Sequence, residues 1–227
     1  MANSINIASG GKAVSAELYT PTTAPPHGLV VIAYGSDGLT DDLNGPWATM
    51  IRGYADALAE RGFAVLVPDY LAYTDTPPGP AVFKVMLHYR DAWLQAIADS
   101  LDYAAALPMV DSTHVGLLGF SLGGHLCLRL RAKAKVLVAF FAPMLDGLGA
   151  PGTLTHAQVH HGRADQLPGT GFHNAVAIAD VLTREGSAAE LCAYPGAGHG
   201  FIGKDRANTD ARNLSQRRTL DFFLAHL

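Results

Sequence analysis

Short strand-like runs, most of them continuously apolar, alternate along this chain with segments of helical periodicity. The runs cover 28–34 (GLVVIAY), 63–70 (FAVLVPDY), 114–120, 135–141, 156–161 and 189–194. A strand without polar alternation is buried on both faces, and helices must supply the cover. Helical patterns fall between the runs, over 81–107, 122–132, 171–185 and 208–226. Another spans 47–62, where Trp47, Ile51, Tyr54, Leu58 and Ala59 share one face and Gly62 ends the pattern. Strand–helix alternation of this kind requires right-handed crossovers and a parallel sheet. Residues 5–19 alternate on either side of Ser-Gly-Gly, which reads as a hairpin and makes the sheet mixed. The expectation is α/β: a mostly parallel central sheet with helices on both faces, in a single domain over 1–227.

Composition supports such a sheet. In 227 residues, 49% hydrophobic and 16% charged side chains supply ample core. A net charge of −4 without a run of Lys or Arg argues against a nucleic-acid partner. The longest apolar stretch, VLVAFFAPML from Val136, is too short to span a bilayer. The start, MANSINIASGG, lacks the basic and apolar regions of a secretory signal. Cys127 and Cys192 make no disulfide framework and read as reduced core thiols. Together these features lead us to expect a cytoplasmic protein with no membrane partner; the oligomeric state stays open.

In an open α/β sheet, sites form beyond the carboxyl ends of the strands. Ser121, in GFSLGGH, directly follows the strand 114–120 and matches G-x-S-x-G, the sharp turn that presents a nucleophilic serine. Asp165 (HHGRADQLP) follows 156–161, and His199 (YPGAGHGF) follows 189–194. The order Ser, Asp, His is the one this architecture uses for a triad. His199 would be the base for the Ser121 hydroxyl, and Asp165 would orient the imidazole. The Leu122 N–H opens a helix, and a second N–H from Gly35 or Ser36 would complete an oxyanion hole. Tyr34, Asp37 and Tyr73 are candidate substrate contacts, and Tyr70 could also line the pocket. His160 and His161 are strand neighbours facing opposite ways, so they cannot chelate together. His125 reads as packing, though it could border the pocket. With no H-E-x-x-H and no Cys/His cluster, no metal is expected.

GLLGFSLGG, HHGRADQLPG, YPGAGHGF and the terminal RRTLDFF together resemble the dienelactone hydrolase family of the α/β-hydrolase fold. The resemblance implies a cap-less, cofactor-free hydrolase of lactones or esters that works through an acyl-enzyme. The family's type members use a cysteine where this chain has Ser121. They carry a glutamate about where Tyr34 stands, and an arginine at the position of Gly203, near Lys204 and Arg206. About a dozen residues separate 135–141 from 156–161, too few for a cap domain. TDTPPGP (74–80) is the loop best placed to cover the site.

The residues therefore point to a serine hydrolase of a small-molecule ester or lactone. A hydrolase of small peptides or amides, an acyltransferase on the same triad, and a non-catalytic binding module of this fold remain as alternatives.

Overall fold

The computed structural model describes residues 2–227, and the strand–helix alternation emerges as an eight-stranded, mostly parallel sheet. In chain order the strands are β1 (Ala2–Ser9), β2 (Lys12–Tyr19), β3 (His27–Ala33), β4 (Ala64–Pro68), β5 (Val110–Phe120), β6 (Val136–Phe140), β7 (His156–Gly162) and β8 (Ala188–Tyr194). Their spatial order is β1-β2-β4-β3-β5-β6-β7-β8. The helices are α1 (Trp47–Glu60), α2 (Ala81–Ala105), α3 (Leu122–Arg129), α4 (His173–Arg184) and α5 (Arg206–His226). Contacts cluster into two units divided at Gly116/Leu117.

In the N-terminal unit, β1 and β2 pair antiparallel with Ser9 opposite Lys12. The two residues between them, Gly10 and Gly11, both have positive φ, 48° and 84°. A two-residue turn matched to strand twist needs that conformation, which explains the Gly-Gly pair. β3 and β4 pair parallel, and every residue of β4 is buried. α1 buries Trp47, Ile51, Tyr54 and Leu58 as its periodicity requires, with Ala55 in the stripe and Ala59 only half-buried. Gly62, at φ 94°, ends that segment.

In the C-terminal unit, β6, β7 and β8 are parallel neighbours. The helix expected over 122–132 stops at Arg129, and Arg131–Lys133 form a single 3₁₀ turn instead. Arg131 explains the break, because its side chain turns into the core. Its guanidinium donates to the carbonyls of Leu128 and Leu148, and it pairs with Glu185 at 2.6 Å with the arginine side chain 1% exposed. The Gly152 N–H also donates to Glu185. This arginine therefore ties α3, α4 and the 141–155 connection together. That connection contains no helix or strand, so no cap domain is inserted there. Cys127 and Cys192 are both buried, and neither forms a disulfide. Among the described residues no helix is long and apolar enough to cross a membrane.

Glu185→Ala leaves the Arg131 guanidinium buried without its carboxylate. It should destabilise the protein by about 3–5 kcal/mol in urea unfolding, the usual cost of breaking a buried ion pair from one side.

Candidate active site

Ser121 sits between the end of β5 and the start of α3 with φ 50° and ψ −117°. That backbone costs roughly 1–3 kcal/mol for a residue with a Cβ and persists only where the surroundings enforce it. The enforcement is visible. The Ser121 N–H donates to the Phe140 carbonyl at 2.9 Å, and its own carbonyl accepts from the His125 N–H, closing the first turn of α3. The flanking glycines follow from close approach. A Cβ on Gly119 would stand 2.5 Å from the Gly123 carbonyl oxygen, and one on Gly124 would stand 2.9 Å from the Ala142 Cβ. The Leu122 N–H belongs to the first turn of α3, where no intrahelical acceptor exists.

His199 and Asp165 are brought to Ser121 by two laced loops. The Arg163 N–H donates to the Tyr194 carbonyl and the Ala164 N–H to the Ala197 carbonyl, which joins the turn after β7 to the one after β8. Gly162 is required there, since a Cβ would lie 2.2 Å from the Ala197 carbonyl oxygen. The N-terminus of α5 anchors the histidine loop. Asn208 accepts from the Gly198 N–H and is itself held by the N-cap Asp205, while Arg212 donates to the carbonyls of Phe201 and Gly203. The His199 ring packs edge-to-face on Phe141 at 4.9 Å.

The result is a continuous hydrogen-bonded chain. His199 Nε2 lies 3.2 Å from Ser121 Oγ, and His199 Nδ1 lies 2.8 Å from Asp165 Oδ2. The Asp165 side chain has no exposed surface, whereas His199 keeps 18%. Burial would raise the Asp165 pKa, but hydrogen bonds from His161 and His199 outweigh it and hold the carboxyl well below the usual carboxylate range. An anion is thus fixed behind an imidazole whose far nitrogen faces a hydroxyl, an arrangement able to move a proton off Ser121.

Residues 34–37 and 73 have other engagements inside the N-terminal unit. Tyr34, expected as a substrate contact, is 1% exposed, and its only hydroxyl proton goes to Asp69 Oδ1. It is a core residue, stacked on Tyr70 at 4.5 Å. The Tyr70 hydroxyl donates to the Tyr34 carbonyl at 2.7 Å and so fixes the peptide plane that carries the Gly35 N–H. The Gly35 carbonyl accepts from the Gly38 N–H, and the Ser36 carbonyl accepts from the Gly79 N–H. Asp37 is buried and accepts from Asn44. The half-buried Tyr73 donates its hydroxyl proton to the Ser9 carbonyl at the hairpin turn.

Comparison with known proteins decides the lineage. Residues 14–227 match the dienelactone hydrolase family. The chain belongs to that family. Among curated relatives it is 30% identical over 138 residues to the quorum-quenching protein AidA of Acinetobacter baumannii, a match covering 60% of this chain and 42% of AidA. It is 31% identical over 144 residues to the esterase FrsA of Vibrio vulnificus, covering 61% of this chain and 31% of FrsA. The chain thus spans less than half the length of the curated relatives it matches. A crystal structure of a dienelactone hydrolase-like promiscuous phosphotriesterase, P91 from metagenomic libraries, superposes with a TM-score of 0.77 at 22% identity over 98% of both chains, which shows the shared fold.

Within this dienelactone hydrolase family chain, sequence reasoning set His161 on the opposite face from His160 but gave it no part in the site. Its Nε2 lies 2.8 Å from the same Asp165 oxygen that holds His199. The available signal was strand alternation, which turns His161 away from His160. His160 enters a separate buried network, with Tyr194 and Gln158 on its two nitrogens. His125 is fully buried with Nδ1 near the Pro143 carbonyl, as its packing role implies. Among the described residues no group of three or more His, Cys, Asp and Glu is placed to hold a metal ion.

Gly119→Ala and Gly162→Ala should each cost about 1–3 kcal/mol or more in thermal melts, because the obstructing atoms are backbone. Burial, with Arg218 nearby, depresses the His160 pKa to about 3. Below the ordinary imidazole value near 6.5 the unfolded chain takes up a proton that folded His160 refuses, so stability falls as pH drops from about 6.5 toward about 3. The slope from this residue is about 1.4 kcal/mol per pH unit. Urea melts of wild type and His160→Gln at pH 7 and pH 5 should differ in their acid loss by about 2 kcal/mol, the wild type losing more.

Proposed function

We propose that this protein is a serine hydrolase of small ester or lactone substrates, working through an acyl-enzyme on Ser121. The single observation that carries the reading is the hydrogen-bonded chain from Ser121 Oγ through His199 to buried Asp165. Membership of the dienelactone hydrolase family and similarity to a protein named as an esterase support the ester-hydrolase class.

His199 Nε2 takes the Ser121 proton as Oγ attacks the carbonyl carbon, and Asp165 steadies the imidazolium through Nδ1–H. The Leu122 N–H, at the positive end of α3, faces the developing oxyanion; one such donor is worth about 3 kcal/mol of barrier. The imidazolium then protonates the departing alkoxide oxygen. Water, deprotonated by the same nitrogen, attacks the acyl carbon and releases the acid and the free serine. No step calls for a cofactor. Because the 141–155 connection carries no cap, short acyl groups suit the site better than long chains.

A fluorophosphonate should label wild type at Ser121, and both Ser121→Ala and His199→Ala should lose that labelling while remaining folded. Turnover of a p-nitrophenyl butyrate ester should exceed that of the palmitate ester, and Ser121→Ala should lower kcat by roughly 10³-fold or more. Folded wild type that takes no label, or an alanine variant that hydrolyses butyrate normally, would remove the proposal.

A further inference from the structure

We infer that His161 is a positioning residue of this site: by donating Nε2–H to Asp165 Oδ2, it sets how strongly that oxygen holds the proton on His199. The inference rests on the hydrolase reading above and adds a fourth residue to it.

The geometry begins at one oxygen atom. Asp165 Oδ2 lies 2.8 Å from His161 Nε2 and 2.8 Å from His199 Nδ1. The other oxygen, Oδ1, accepts from the Leu167 N–H at 3.0 Å and lies 3.1 Å from the Thr170 hydroxyl, whose single proton is shared with the Leu167 carbonyl at 2.9 Å. A carboxylate offers about four lone-pair sites, and the two on Oδ2 are taken by His161 and His199. The side chains of His161 and Asp165 are both without exposed surface, so water cannot replace a missing donor.

The tautomer of His161 follows from its surroundings. Its Nδ1 is buried without a hydrogen-bond partner, and only Nε2 faces an acceptor. The proton therefore sits on Nε2, and His161 acts as a donor that leaves the carboxylate's charge uncancelled. A lysine or arginine in its place would neutralise Asp165, while an aliphatic side chain would leave one lone pair of Oδ2 bare. Packing alone does not account for histidine here. The ring meets Phe172 edge-on at 6.0 Å, a contact any aromatic could make, and histidine adds a buried unpartnered nitrogen that has to be offset. The bond to Oδ2 offsets it.

The consequence for His199 has a definite sign. A donor on Oδ2 disperses its negative charge; removing that donor concentrates the charge on the bond to His199 Nδ1–H and favours imidazolium, the form that cannot accept the serine proton. The charged and titratable groups around the cluster are Asp165, His199, Arg163, whose guanidinium lies 4.7 Å from the Phe172 ring centre, and His173 at the start of α4. Substituting His161 leaves Arg163 and His173 in place, so a change in the profile reports on the Asp165–His199 bond.

The test compares kcat/KM against pH for a butyrate ester in wild type, His161→Phe and His161→Gln, with fluorophosphonate labelling of wild type alongside. In His161→Phe the acid limb should move to higher pH by about half a unit to one unit, with KM little changed and the rate at pH 7 reduced several-fold to about tenfold. His161→Gln, which retains an N–H donor, should return the limb toward wild type. If His161→Phe is folded but loses rate equally at all pH values, or if His161→Gln behaves like His161→Phe, the inference fails. Should the phenylalanine variant not fold, ¹⁵N NMR of wild type at pH 7.5 decides: a proton on Nε2 with Nδ1 bare supports the assignment, and a proton on Nδ1 overturns it. Failure of the underlying hydrolase reading is separately visible, because wild type would then take no label.

Discussion

The carboxylate of Asp165 is the point on which the candidate site depends. It is charged, without exposed surface, and held by donors drawn from β7, the turn that follows it and the loop after β8. A buried anion is tolerated only with such donors in place, so the loops cannot relax independently. Each donor that holds the carboxylate is held by it in turn. The same ion sets the direction of the His199 ring and, through it, the distance to Ser121.

Close backbone approach is the second condition. The turn at Ser121 and the lacing of the two later loops place carbonyl oxygens where no Cβ could stand, at Gly119 and Gly162. Phe140 and Phe141 connect these regions. The Phe140 carbonyl receives the Ser121 N–H, the Phe140 ring stacks on His160 at 4.4 Å, and Phe141 flanks His199. Strain at the serine is thus sustained by the end of a neighbouring strand rather than by the turn itself.

The chain shares the fold of its family and differs from the type members in residues around the candidate site. Serine replaces the type members' cysteine at position 121, and Tyr34 stands about where their glutamate would be. Tyr34 donates its hydroxyl proton to Asp69 inside the N-terminal unit. Under the proposed mechanism a hydroxyl depends more heavily than a thiol on an adjacent base, which gives the His199–Asp165 pair, and the donors behind Asp165, greater weight.

By itself the sequence determined the sheet-forming runs, the helices between them, the Gly-Gly hairpin, and the order in which Ser121, Asp165 and His199 leave their strands. These are readable because periodicity, turn chemistry and short connections act over a few neighbouring residues. Tertiary structure alone decided the rest. It broke the helix after Arg129 to bury Arg131 against Glu185, buried Tyr34 and tied Tyr73 to the hairpin, and set His161 on the oxygen that holds His199. Those outcomes depend on which side chains meet across separate elements, and on where a buried charge finds enough donors. Local pattern carries no record of either.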